Sequence, residues 1–183
     1  MNQRTSDQAW TLRRGLMRLS NPWLELIGER LTTDNGTELD YWRIERADSA
    51  IVVPIWRQQM VLPAPSYRPG IQEVGLDFPG GRIQLDQSAL EAANQILQRE
   101  LKIEPDQIES VTALNQVGWP INSSLSNQRL YGFWAKLSDD SKVAAGHGQQ
   151  VYPLTAAGVT QLLEALPCLQ CRAVLMSLPQ LKR

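Results

Sequence analysis

The sequence predicts an α/β sandwich, in which a sheet is covered by a small number of helices. Three observations point to this class: strand-like segments begin at Asn21, one strongly amphipathic helix follows near the middle of the chain, and two more helices are predicted at its C-terminal end. With 183 residues, the chain is long enough for one core of ordinary size. We therefore expect one domain over residues 21–183, preceded by a basic N-terminal arm over residues 1–20.

The predicted arm interleaves arginines with apolar side chains, among them Arg13, Arg14, Leu16 and Met17. Two interpretations are open for residues 1–20. They form either an amphipathic segment that docks on a partner subunit or a flexible basic tail.

The segments that follow the arm are typical of strands. Residues 23–27 and 39–44 flank the turn signal Asp34-Asn35-Gly36-Thr37, which predicts a hairpin. The apolar run 50–56 predicts a buried strand, in which Pro54 requires an edge position or a bulge because proline has no N–H for a neighbouring strand. Further along, we expect a turn at Gln58-Gln59, a returning strand at residues 60–63, a loop at 67–70 and a tight turn at 79–81.

The central helix is predicted from Ser88 to Leu101. Ser88 and Glu91 have the spacing of a capping box, which satisfies two backbone N–H donors at the start of a helix. Apolar residues recur at helical spacing through Leu97 and Leu101 and would lay one stripe against a sheet. Strands are then predicted over residues 108–114 and 128–137, and helices over 155–166 and 172–178, separated at Pro167.

The composition excludes several functions. The chain carries 18 Lys and Arg against 19 Asp and Glu, so no basic stripe for nucleic acid or for a membrane surface is expected. No apolar run approaches the ~20 residues of a membrane helix, and no signal-peptide core is present, so we expect a cytoplasmic protein. The only histidine is His147, expected to be a loop residue without a role, which argues against histidine-based catalysis.

The two cysteines, Cys168 and Cys171, form a single CxxC. A zinc site needs about four ligands, and a redox CxxC usually opens a helix after a strand. We therefore interpret this pair as two small, half-buried residues on a helix.

The Gly80-Gly81 turn and the predicted helix after it, through Leu97 to Ile103, resemble the Nudix box, the signature of the Nudix hydrolase superfamily. The segments that begin at Asn21, Tyr41, Tyr67 and Asp77 resemble the ADP-ribose pyrophosphatase branch, so the resemblance covers about residues 21 to 178. It implies a Nudix-type α/β/α sandwich with a mixed central sheet, and a homodimer formed through the N-terminal strands.

In that family, glutamates on one face of the box helix bind Mg²⁺, which clamps a pyrophosphate and activates a water. Counted from Gly81, the first Glu of the box falls on Gln87, its Arg-Glu pair on Gln95 and Ile96, and its Glu-Glu pair on Arg99 and Glu100. A loop Glu of this branch falls on Gln128. Only Glu100 remains as a carboxylate on the metal face, which implies at most a weak, vestigial metal site, and hydrolysis through this box is not expected.

Two interpretations are open for Arg99. Its guanidinium replaces the metal and pairs with a ligand's phosphate, or it is simply solvated while Ile96 joins a broadened apolar face. The resemblance implies ligand contacts at Arg68, Gly80, Gly81, Arg99, Trp119 and Gln128. For Arg68 the alternative is an ion pair with Glu73 or Asp77, and for Trp119 it is half-burial against the sheet.

We therefore expect a Nudix-fold protein that has lost pyrophosphohydrolase activity and requires no cofactor. It would bind a nucleotide-type ligand or a protein partner, as a sensor, regulator or scaffold. The alternative is a Mg²⁺-dependent pyrophosphatase acting on ADP-ribose or another nucleoside diphosphate sugar. That enzyme would use Glu100 with carboxylates outside the box, such as Glu73, Asp77 or Glu91.

Overall fold

The computed structural model describes residues 10–141 and 149–181. The chain divides into two compact units. Among the described residues, the first unit comprises 10–47 with 120–128, and the second comprises 48–119 with 129–141 and 149–181. Residues 10–20, the described part of the expected arm, belong to the first unit together with residues 21–47.

The first unit contains an antiparallel three-stranded sheet in the order β1-β2-β3. Its strands are β1 (Thr11–Ser20), β2 (Glu25–Thr32) and β3 (Glu38–Glu45). The predicted hairpin is present as β2 and β3, joined by a turn in which Gly36 adopts a positive φ of 84°. In the described part of the expected arm, residues 11–20 form β1, whose pairing supplies partners for the backbone groups on one edge of β2.

The second unit is built on a mixed sheet in the order β10-β11-β4-β5-β12, with β8 alongside β4 and β9 alongside β11. The strands are β4 (Ser49–Trp56), β5 (Gln59–Leu62), β8 (Gly80–Arg82), β9 (Ile108–Ala113), β10 (Trp119–Pro120), β11 (Arg129–Leu137) and β12 (Gln150–Pro153). β11 runs parallel to β4, whereas the β4–β5, β4–β8, β5–β12 and β9–β11 pairs are antiparallel. The short strands β6 (Ser66–Arg68) and β7 (Glu73–Gly75) form a separate pair, at the place where a loop was predicted.

The prediction of an edge position or a bulge for Pro54 is wrong. Pro54 lies in β4, a central strand, and pairs in regular parallel register with Ala135 of β11. On the other side of β4, residues 49–51 pair with β8 and residues 55–56 pair with β5. Pro54 falls between these two partners, where no strand requires an N–H from it.

Three α-helices lie in the described part of the second unit. They are α1 (Ala89–Leu101), α2 (Ala156–Ala165) and α3 (Leu169–Met176), of which α3 starts three residues before its predicted beginning. The predicted capping box is present, with Ser88 at the N-cap of α1. None of the helices in the described part of the chain is both long and apolar enough to cross a membrane.

Helices pack on both faces of the mixed sheet. The buried stripe of α1 joins one hydrophobic cluster with Phe133 and Ala135 of β11. Side chains alternate between the two faces along a strand, so position 132 faces the opposite side of the sheet from Phe133. There, a Cβ atom added to Gly132 would lie 3.3 Å from Cγ2 of Val174 in α3. The predicted α/β/α sandwich with a mixed central sheet is therefore confirmed.

Candidate functional site

The glycine turn and α1 bring together the box residues that carry the metal chemistry in the resembled family. Gly80 and Gly81 lie in β8 and pair with Ile51 and Ala50 of β4. A Cβ atom added to Gly81 would lie 2.7 Å from Nη2 of Arg99 and 3.5 Å from Cγ1 of Ile96. Glycine at position 81 therefore leaves room for the Arg99 guanidinium beside the strand.

Arg99 makes the central contacts of this site. Its Nη2 donates to the backbone carbonyl of Gly80 at 3.0 Å and to Oε1 of Glu100 at 2.9 Å, and its Nε donates to the same Glu100 oxygen at 3.1 Å. A guanidinium thus contacts the one carboxylate that remains on the metal face and the backbone carbonyl of the glycine turn. These oxygens are ligands of the kind that Mg²⁺ requires. Both already accept hydrogen bonds from the positively charged guanidinium of Arg99.

The other box positions do not supply metal ligands. Ile96 is buried in the hydrophobic cluster, with 1% of its surface exposed, and packs with Ala92 and Ala93. Gln95 is exposed on α1. The side-chain oxygen of Gln87 accepts a hydrogen bond from the backbone N–H of Gln84 at 3.0 Å. The residues present therefore do not fit a Mg²⁺ cluster at the box.

The carboxylates considered for an alternative metal site have other partners. Glu91 accepts a hydrogen bond from the backbone N–H of Ser88 at 2.8 Å, and hydrogen bonds from the Ser88 side chain and backbone lower the pKa of Glu91. It lies nine positions before Glu100 on α1, which corresponds to ~13 Å along the helix axis at ~1.5 Å per residue. Asp77 forms an ion pair with Arg68, and Glu73 is exposed on β7.

Three predicted ligand contacts have structural partners within their own units. Nε of Arg68 lies 2.7 Å from Oδ2 of Asp77, which matches the alternative interpretation of Arg68 as an ion-pair residue. Trp119 is half-buried, and its ring would lie 3.3 Å from a Cβ atom on Gly132. In the first unit, Gln128 is 7% exposed, and its side-chain amide donates to the carbonyl of Ala47 at 2.9 Å. A glutamate at position 128 would place a carboxylate oxygen against that carbonyl, which explains why an amide is favoured there.

The two cysteines, interpreted as small, half-buried residues on a helix, lie at the start of α3. Cys168 is the N-cap of α3 and Cys171 is its third residue, fully buried beside Asp77. The Cys171 thiol donates a hydrogen bond to Oδ1 of Asp77 at 3.6 Å. A hydrogen bond between the two cysteine side chains lowers the pKa of Cys168 to about 6. The same hydrogen bond, together with burial, raises the pKa of Cys171. His147 lies outside the described residues.

Sequence reasoning missed two features of this unit. Lys102, which falls on a later glycine of the Nudix box when positions are counted from Gly81, caps α1 in the left-handed conformation with φ 58° and ψ 34°. Asp77 comes together with Cys168 and Cys171, which are about ninety positions away in the chain. The box spacing signalled the first feature, whereas no local pattern links Asp77 to the cysteines.

The sheet order, the glycine turn against α1 and the helices on both faces define a Nudix-type fold. A solved structure described as "ADP compounds hydrolase" is similar to this chain, with 22% sequence identity, 94% of each chain covered and a TM-score of 0.76. At this identity the likeness establishes the fold alone. No family model and no curated protein matches the sequence.

Proposed function

We propose that this chain is a Nudix-like binding protein without metal-dependent pyrophosphohydrolase activity, acting as a sensor, regulator or scaffold. One observation carries the proposal: the guanidinium of Arg99 engages both the Gly80 carbonyl and the Glu100 carboxylate. A second cation at these oxygens would be repelled by Arg99, and the buried Ile96 offers no ligand to compensate. Metal-assisted activation of water is therefore not expected at the box.

A nucleotide-type ligand is the small-molecule partner that this arrangement favours. The two N–H groups on Nη1 of Arg99 have no acceptor among the described residues, and 56% of the side chain is exposed. They are free to donate to a phosphate oxygen, an acceptor that suits the planar guanidinium. Arg99 would then act as a built-in substitute for the metal and bind a diphosphate without hydrolysing it.

The likeness to an "ADP compounds hydrolase" favours a second candidate, a Mg²⁺-dependent pyrophosphatase. That enzyme would need carboxylates next to Glu100, yet Glu91 is engaged at the far end of α1 and Asp77 is paired with Arg68. One assay separates the two candidates: release of AMP from ADP-ribose with and without Mg²⁺. We expect no release above background, whereas Mg²⁺-dependent release that disappears in Glu100→Gln would establish the enzyme.

Binding is tested by the thermal shift that ADP-ribose produces in the wild type, in Arg99→Ala and in Gln95→Ala. Gln95 is exposed on the same helix and serves as the matched control. We expect the ligand to raise the melting temperature of the wild type and of Gln95→Ala, but not that of Arg99→Ala. An unchanged shift in Arg99→Ala would contradict the role of Arg99 as the substitute cation.

We also propose that β1 contributes to a homodimer. This strand exposes Leu12, Met17 and Leu19, each with more than half of its surface accessible, and a second copy would bury this apolar area. Light scattering after gel filtration should give a dimer for the wild type and a monomer for Met17→Glu. The control is Val117→Glu, which places the same charge on an exposed apolar residue of the second unit. If Met17→Glu remains dimeric, β1 is not the interface.

If the chain acts as a scaffold, we propose that a protein partner docks on residues 1–20. Deletion of residues 1–20 should release such a partner, and retention of the partner would exclude residues 1–20 as the docking segment.

A further inference from the structure

The first turn of α3 and the segment that follows β7 gather three potential metal ligands in the second unit. Oδ1 of Asp77 and the Sγ atoms of Cys168 and Cys171 all lie within 4.8 Å of one another. The two segments pack closely: a Cβ atom at Gly75 would lie 3.1 Å from Cγ of Pro167, the residue immediately before the cysteine pair. The cluster is independent of Arg99 and Glu100 and has no part in the proposed function.

We propose that Asp77, Cys168 and Cys171 form a binding site for a thiophilic divalent cation, of which Zn²⁺ is the best match. Two thiolates and one carboxylate are ligands that zinc accepts, in sites with three protein ligands and a fourth position left to water or another ligand. The CxxC spacing is itself a common zinc-ligand spacing.

The distances suit tetrahedral zinc. Metal–sulfur and metal–oxygen bonds of about 2.3 and 2.0 Å imply a sulfur–oxygen separation of ~3.5 Å between ligands and a sulfur–sulfur separation of ~3.8 Å. Sγ of Cys171 lies 3.6 Å from Oδ1 of Asp77. All three ligand atoms fall within the 4.8 Å limit, so small side-chain rotations would bring them onto one ion.

Arg68 positions the carboxylate for this role. The two oxygens of Asp77 have separate partners: Oδ2 lies 2.7 Å from Nε of Arg68, and Oδ1 faces Cys171. Oδ1 can therefore bind a metal while Oδ2 keeps its ion pair, as outer partners commonly do for ligating carboxylates.

The charges of the cluster balance with a divalent cation. Two thiolates and one carboxylate carry three negative charges, and Zn²⁺ with Arg68 carries three positive ones. Cys171 is fully buried, while Cys168 and Asp77 are partly exposed. The ion would thus have one buried anchor and an accessible side for the fourth ligand.

The test uses the reduced full-length chain and Co²⁺ as a spectroscopic substitute for Zn²⁺. Because the chain has only two cysteines, thiolate-to-cobalt charge-transfer absorption reports on Cys168 and Cys171 alone. We expect this absorption together with tetrahedral ligand-field bands at one equivalent of Co²⁺, and we expect Zn²⁺ to bleach both. Cys168→Ser should abolish the charge-transfer band or halve it, and Asp77→Asn should weaken binding at least tenfold.

Two further variants separate a metal site from a structural cluster. Arg68→Gln should lower the Zn²⁺ affinity about 10–100-fold, the usual loss when an outer partner is removed. Glu73→Gln, opposite Arg68 in the β6–β7 pair, should leave the affinity unchanged. Circular dichroism shows whether each variant folds. A further readout needs no variant: we expect Zn²⁺, but not Mg²⁺, to raise the melting temperature of the wild type.

Three results would overturn the proposal. The first is reduced, folded protein that takes up no Co²⁺ with thiolate absorption. The second is Zn²⁺ binding that is equal in the wild type and in Cys168→Ser. The third is reduced protein in which dissolved oxygen, as the oxidant, forms a Cys168–Cys171 disulfide at the same rate with and without Zn²⁺, measured as the loss of two hydrogens by mass.

Discussion

Nη2 of Arg99 lies 3.0 Å from the backbone oxygen of Gly80, so the side chain links the last turn of α1 to the glycine turn. In the resembled family the corresponding face of the helix holds carboxylates around a metal. Here the guanidinium of Arg99 contacts both the Gly80 carbonyl and the carboxylate of Glu100. The contact joins two elements, the glycine turn and the C-terminal end of α1, that the resemblance places at a metal site.

Arg99→Ala should lower the free energy of unfolding by about 1 kcal/mol, because the hydrogen bonds to Gly80 and Glu100 are lost at a site that is half exposed to water. Urea denaturation measures this difference. Gln95→Ala is the matched control and should stay within about 0.5 kcal/mol of the wild type. A loss no larger than that of the control would mean that the link contributes nothing to stability.

Lys102 adopts the left-handed conformation at the C-cap of α1, where glycine is favoured. Lys102→Gly and Lys102→Ala both remove the hydrogen bond from Nζ to the Arg99 carbonyl and differ only in the Cβ atom. We expect the glycine variant to be about 0.5–1 kcal/mol more stable than the alanine variant, since relief of the strain exceeds the added entropy of the unfolded chain. Thermal denaturation compares the two, and an alanine variant of equal stability would refute the prediction.

The capping box of α1 should make stability depend on pH. Hydrogen bonds from Ser88 lower the pKa of Glu91 in the folded state, so Glu91 stabilises the fold above its unfolded pKa and loses this effect as the pH falls through its folded pKa. The stability difference between wild type and Glu91→Gln should therefore be largest near pH 7 and shrink in acid.

The matched control for Glu91→Gln is Glu164→Gln, on the exposed side of α2, whose effect should not change with pH in this way. Ser88→Ala removes the other half of the capping box and should cost about 1 kcal/mol at neutral pH. A difference between wild type and Glu91→Gln that grows as the pH falls would contradict the assigned direction of the pKa shift.

Gly158 in α2 has no room for a side chain. A Cβ atom there would lie 2.2 Å from the carbonyl oxygen of Pro153, a backbone atom that cannot move aside. Gly158→Ala should therefore destabilise the second unit by about 3 kcal/mol, measured by thermal or urea denaturation. Gly70→Ala, which meets nothing within 4 Å, should be nearly neutral; similar losses in both variants would show that the crowding at Gly158 is not the cause.

Elements with strong local signals were predictable from the sequence. The capping box and apolar stripe located α1, and the turn residues between two apolar segments located the β2–β3 hairpin. In both cases the interactions that select the structure connect residues that are close in the chain. Local chemistry therefore predicts these elements without knowledge of the rest of the fold.

Elements defined by pairing were not predictable in this way. β1 is stabilised by its pairing with β2. Pro54 is tolerated in a central strand because β8 pairs with the residues of β4 before it and β5 pairs with the residues after it. The strands β6, β7 and β12 are three or four residues long and carry no clear periodicity of their own. Backbone partners distant in sequence decide these cases.

The sequence by itself determined which residues occupy the box positions: counting from Gly81 identifies Gln87, Ile96 and Arg99 where the resembled family has glutamates. Only the tertiary structure decided what Arg99 contacts and that Asp77 meets the CxxC, because both depend on side chains brought together from separate elements. Spacing along a helix defines a face, whereas the packing of that face against a strand or loop defines the contacts from which a site is made.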